Sequence, residues 1–319
     1  MRLGVFTPLL RDMTLDDALG YLASRGVHAV ELGTGNYPGD QHCSLAMLED
    51  AGALDAFRGT LDKHGASITA LSCHGNPLHP DRGTAQIADQ TALRTFELAA
   101  KLGVQTVVEF AGCPGDSLHA VAPNWVTCPW PPEYADVLAW QWEEVVEPYW
   151  KEHAKRAGDL GVRIAIEMHP GFVVYSPETM LRLRSVAGEN VGANLDPSHL
   201  FWQGIDPLQA VRELNGCIYH AHAKDTEFYP ANLARCGVLD TKPYTDLTHR
   251  GWMFRTCGYG HDTGWWKAFV SALRLAGYDG VLSIEHEDSL MSPKEGLEKA
   301  ISLLAGIVIE NPPGDAYWT

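Results

Sequence analysis

The chain has 319 residues, 45% of them hydrophobic and 20% charged, which is enough apolar material for a substantial core and excludes a chain kept disordered by its own charge. Its formal net charge of −16 opposes any phosphate backbone, whose binding needs clustered Lys and Arg, so no nucleic-acid partner is expected; nor is there a basic amphipathic stretch for a membrane. The seven cysteines are scattered and lack C-x-x-C spacing, and they read as free thiols in a reducing compartment rather than as a disulfide framework or a zinc–thiolate site.

Residues 2–6 read as a strand with no apolar signal region behind it, and no run of ~18 apolar residues occurs anywhere. A cytoplasmic protein is therefore expected. Further short β-rich runs follow at 28–32, 67–72, 106–110, 163–168, 191–196, 217–223 and 280–285, alternating with helical patterns. Such alternation builds a parallel sheet from β-α units, and eight units predict the α/β class, a (β/α)8 TIM barrel forming a single domain over 1–319. Five junctions share one device: Gly26, Gly65, Gly103, Gly161 and Gly277 each stand where a helix ends before a strand and a left-handed residue is wanted.

Two connections, 111–133 after strand four and 225–263 after strand seven, far exceed the roughly two to six residues usual for such loops. Loops after strands lie on the C-terminal face of a barrel, where active sites of this fold sit, so both are expected to shape a substrate pocket unless they serve only oligomer contacts. The second holds His249 and Arg250, with Tyr244, Trp252 and Arg255, as groups able to hydrogen-bond or stack on a polar ligand.

Acidic and histidine side chains end four consecutive strands, in IAIEMHPG (Glu167, His169), NLDPSH (Asp196, His199), HAHAKD (His222, Lys224) and LSIEHED (Glu285). A charge on such an apolar strand is buried at a cost of several kcal/mol unless it is paired or binds a metal. Strand alternation places Glu167 with Ala165, Asp196 with Asn194, His222 with His220 and Glu285 with Ser283, and this face of small and polar residues is the one that looks into a barrel. Closure would bring Glu167, Asp196, His222 and Glu285 to one point. Three carboxylates and one imidazole suit Mn²⁺, Mg²⁺ or Co²⁺; the same pattern also fits a set of buried ion pairs without a metal. His74 and Glu109, near the ends of strands three and four, are further pocket candidates, His169 is placed to orient Glu167, and Lys224 to support a carboxylate or bind substrate.

In these motifs the sequence resembles the xylose-isomerase-like barrel superfamily of sugar isomerases and epimerases. The resemblance implies a divalent metal, manganese first, held by Glu167, Asp196, His222 and Glu285. It also implies acid–base work by Glu167 and Glu285 on opposite faces of a substrate carbon, with His199 bonding a substrate oxygen. The expected activity is isomerisation or epimerisation of a keto-sugar or related polyol by proton abstraction next to a carbonyl, in a homo-oligomer. One departure bears on substrate: ketose 3-epimerases of this group carry Arg six residues after the metal-binding His, and Phe228 stands there. The two long loops resemble those of larger members that act on oxidised glycosides, which makes a 3-oxo-glycoside lyase or C-deglycosidase subunit, working with a partner chain, the alternative.

Overall fold

In a computed structural model, which describes residues 1–312, 314, 315 and 318, eight parallel strands close into a barrel. They are β1 (Arg2–Phe6), β2 (Ala29–Gly33), β3 (Ser67–Ser72), β4 (Thr106–Glu109), β5 (Arg163–Glu167), β6 (Val191–Leu195), β7 (Ile218–Ala223) and, after a two-stranded insertion of β8 (Asp225–Phe228) and β9 (Trp252–Arg255), β10 (Val281–Ile284). Around the bore the order is β1-β10-β7-β6-β5-β4-β3-β2. The chain is thus a (β/α)8 barrel, each strand within a residue of its expected limits; of the expected 1–319 span, residues 313, 316, 317 and 319 lie outside the described residues. Among the described residues, no helix is long and apolar enough to cross a membrane.

The strand period sorts side chains into two layers. Ile164, Ile166, Ile218 and Ile284 join the main core between strands and helices, whereas Ala70, Val108 and Ala165 form a small separate cluster inside the bore. The five glycine junctions all adopt positive φ, between 59° and 78°, the left-handed turn that reverses each helix into its strand.

The two long connections differ in construction. Residues 110–132 contain no helix or strand and are pinned by Gln141, which is buried and donates from Nε2 to the carbonyls of Gly115 (3.0 Å) and Asn124 (2.7 Å). The second connection, expected as a loop, contains the antiparallel pair β8–β9 and the helix Pro230–Cys236. Asp225 anchors it: its Oδ2 accepts from the backbone N–H groups of Gly258 (3.0 Å), Gly260 (3.1 Å) and His261 (2.9 Å), and its Oδ1 accepts from the His261 ring (2.7 Å). Charge-assisted hydrogen bonds from several N–H donors to one buried carboxylate hold the loop in place.

Candidate metal centre

Barrel closure brings Glu167, Asp196, His222 and Glu285 together at the C-terminal ends of β5, β6, β7 and β10, with one ligand atom from each lying within 4.8 Å of the others. His222 Nδ1 sits 3.0 Å from Glu285 Oε2 and 3.4 Å from Glu167 Oε2. Glu167 is encircled by donors: His74 Nε2 (2.9 Å) and Asn194 Nδ2 (3.2 Å) on one oxygen, His199 Nε2 (3.1 Å) on the other. Lys224, 1% exposed, points its ammonium at Glu285 (2.8 Å) and Glu287 (3.1 Å), and also lies 3.1 Å from Asp196 Oδ2, out of line for a hydrogen bond.

The electrostatics are uneven. Burial pushes the Glu167 carboxyl up, but the His74 charge and the bonds from His199 and His74 outweigh it and hold the group well below the usual carboxylate range. Burial likewise raises Glu285, and Lys224 and His222 bring it down to about 2. Asp196 goes the other way. Its burial and the neighbouring Glu167 and Glu285 charges outweigh Lys224 and leave it at about 7. Of the seven buried side-chain atoms without a hydrogen-bond partner among the described residues, four come from this segment: Asn194 Oδ1, Asp196 Oδ2, Ser198 Oγ and His199 Nδ1. An orphaned Asp196 oxygen beside two more carboxylates and an imidazole nitrogen is a donor set with room for more positive charge, and it fits a dication.

A cavity of about 310 Å³ opens beside this cluster. Phe6, Pro8, Leu9, Tyr37, Pro38 and Phe110 make its apolar side, while His74, Glu167, His169, Lys224, Glu285, His286 and Glu287 make its polar side. The walls therefore come from short loops and strand ends. Contrary to expectation, none of these lining residues belongs to the second long connection, and the first contributes only Phe110, where the chain leaves β4. The second connection touches the centre from behind, where Phe254 packs edge-on against His199 (5.2 Å between rings) and beneath the Lys224 ammonium (4.9 Å).

The other sequence candidates divide. His74, His169 and Lys224 line the cavity. The His169 ring donates from Nδ1 to the Pro170 carbonyl (2.6 Å), and burial pushes its pKa down to about 4, so Nε2 is an unprotonated acceptor at neutral pH. His199, expected to face substrate, is not a lining residue and stands behind Glu167. Glu109 faces the helices, bonded to His153 (3.0 Å) on the helix Glu147–Asp159. His249 is exposed and bonded to Asp246 (2.7 Å), and Arg250 is buried between Tyr244 (4.4 Å) and Trp252 (4.8 Å). Neither lines the cavity.

Sequence reasoning missed Glu31 on β2. It is fully buried, and it accepts from Ser72 Oγ (2.5 Å), Ser283 Oγ (2.7 Å), His220 Nε2 (2.9 Å) and His222 Nε2 (3.0 Å). A single acidic residue in the apolar run AVELG was the available signal.

The family model for the xylose isomerase-like TIM barrel matches residues 19–307. The chain belongs to this family. Among curated proteins it is 39% identical over 308 residues to the uncharacterized protein YfiH of Bacillus subtilis (strain 168), covering 95% of this chain and 98% of that one. It is also 27% identical over 138 residues to inosose dehydratase of Glaesserella parasuis, covering 35% of this chain and 46% of that one. Among solved structures, a D-tagatose 3-epimerase-like protein superposes with a TM-score of 0.63 at 19% identity, covering 96% of this chain and 98% of that one. The IOLI protein with a bound zinc atom superposes at 0.64 and 20% identity, covering 97% and 98%.

Proposed function

We propose that this chain is a divalent-metal-dependent isomerase or epimerase of a keto-sugar or related polyol, acting by proton abstraction next to a carbonyl. The reading rests on one observation, the convergence of His222 Nδ1 with the carboxylates of Glu167, Asp196 and Glu285 around an orphaned Asp196 oxygen at the edge of a half-apolar cavity. These four residues would hold the ion. Their oxygen-rich set favours Mn²⁺, with Mg²⁺ or Co²⁺ as substitutes; the IOLI protein, which shares the fold, binds a zinc atom. When bound, the dication supplies Lewis-acid polarisation of a carbonyl oxygen and so acidifies the adjacent C–H.

This chain's own residues do the rest. Glu167 and Glu285, both ionised at neutral pH, are bases from two different strands and carry a proton away from and back to the substrate carbon. His199 acts through Glu167, holding one of its oxygens in place. The Lys224 ammonium donates to a substrate oxygen, and His74 and His169 border the same space. Phe6, Tyr37 and Phe110 offer aromatic faces to the C–H face of a sugar ring and keep water away.

Elimination from an oxidised sugar, as in a 3-oxo-glycoside lyase or C-deglycosidase subunit, is the second reading. Lys224 favours it, because a buried ammonium beside the cavity can protonate a departing oxygen, and the similarity to an inosose dehydratase points the same way. To test both, the Mn²⁺-loaded protein is incubated in D₂O with ketoses, inososes and 3-keto-glycosides. Deuterium should enter the carbon beside the carbonyl, and Glu167→Gln should slow entry by at least about 100-fold with the fold intact. Loss of water or aglycone would assign the elimination. Absence of exchange and elimination across the whole panel would sink both readings.

A further inference from the structure

Below the four strand-end ligands, the bore holds a second acidic and histidine cluster built on Glu31. Glu31, His220 and His222 could by composition take a cation, but the cluster is saturated. An ionised carboxylate offers about four lone-pair directions. Two hydroxyl groups and two imidazole nitrogens point at Glu31, and none of the fully buried unpartnered side-chain atoms among the described residues belongs to Glu31, Ser72, His220, His222 or Ser283. Nothing there calls for an ion.

The cluster acts on the centre above it. A carboxylate can only accept, so the bond from His222 to Glu31 fixes the proton on Nε2. Nδ1 is the nitrogen presented to Glu167 and Glu285; facing carboxylates too, it holds a second proton while no cation is bound, and that is the proton a cation would displace. The Phe6 ring lies nearly parallel to the imidazole (5.7 Å, 24°) and blocks one face of it, so the ring has little freedom to turn.

We propose that Glu31 is the positioning residue of the centre: through its bond to His222 Nε2–H it sets the tautomer and orientation that turn Nδ1 toward Glu167, Asp196 and Glu285. The proposal rests on the metal reading above for its consequence, but the orientation of His222 stands on the hydrogen bonds alone. A ligating histidine held through its second nitrogen by a carboxylate is a more basic and better-ordered ligand, and loss of such a partner weakens metal binding by about 10–100-fold.

Glu31→Gln tests this because it keeps the volume while adding an amide donor that opposes Nε2–H. Mn²⁺ affinity is measured by calorimetry on the purified full chain, and the His222 tautomer is read from its ¹⁵N shifts, with His222→Gln supplying the assignment. The expected result is affinity weakened by about 10–100-fold, with the Nε2–H signature of His222 lost. Glu31→Asp, which restores a carboxylate on a shorter arm, should recover part of both. Ser283→Ala, which loosens Glu31 without adding a donor, serves if Glu31→Gln does not fold, and should weaken affinity by less than the loss when the carboxylate itself goes. Wild-type affinity and an unchanged tautomer in Glu31→Gln overturn the proposal. If the wild-type protein binds no Mn²⁺, Mg²⁺, Co²⁺ or Zn²⁺, the metal reading fails, and the ¹⁵N shifts alone decide whether Glu31 sets His222.

Discussion

Two polar clusters share the barrel bore, built from the same residue types yet finished differently. In the lower one every oxygen of Glu31 is taken by a hydroxyl or imidazole donor. In the upper one Asp196 Oδ2 is orphaned, the Asp196 carboxyl is driven up to about 7 by burial and like charge, and a lysine is crowded among three carboxylates. A satisfied buried network holds a shape, whereas an unsatisfied one lowers stability and is kept where a ligand completes it. The difference suits a scaffolding role for the lower cluster and, on the proposed reading, a chemical one for the upper.

Three substitutions break or sharpen that contrast. His220→Ala strikes the lower cluster hardest, leaving Glu31 short of one donor and a void beside it. We expect a loss of about 3–5 kcal/mol, a Tm lower by on the order of 5–10 °C, with or without metal. Asp196→Asn should do the reverse in the metal-free protein. Its folded pKa of about 7 lies above the ordinary 3.8, so the native state binds more protons than the unfolded chain between those values, and wild-type stability falls as pH rises from 4 to 7. The Asn variant removes that fall and keeps the bond from Ser198 N that caps the following helix (2.8 Å), while it abolishes metal-induced stabilisation. Melting curves at pH 5 and 8, with and without Mn²⁺, check both claims; parallel pH profiles for the two proteins would contradict them. The smallest effect is that of Ser283→Ala, which removes one hydroxyl bond to Glu31 and should cost about 1–2 kcal/mol in denaturant unfolding.

Much of this was legible in the sequence. Strand limits followed from short apolar runs and from glycines that take positive φ at five helix-to-strand junctions. Glu167, Asp196, His222 and Glu285 stood out because charges at the ends of apolar strands need compensation. Glu31 satisfied the same test on β2 but stands alone in its run, and its partners His220 and Ser283 lie 189 and 252 residues away. Only closure reveals them. Glu109 shows a different limit: with Val107 and Val108 both preceding it, alternation alone could not tell which face looks inward. Val107 belongs to the outer core, and Glu109 goes with it. Loop length marked the insertions, but their paths depend on Asp225 and Gln141 bonding to backbone atoms, and backbone atoms leave no trace in side-chain patterns.

The contact of the second insertion with the centre has an evolutionary consequence. Lys224 and Asp225 are consecutive, one ammonium directed at the strand-end carboxylates and one carboxylate clasping the insertion. The insertion can change in length, surface and binding partners without entering the cavity, yet whatever tightens or slackens the Asp225 clasp is felt one peptide unit away by the lysine. Lineages that share the barrel could thus retune the lysine from outside, by remodelling a segment that does not line the cavity.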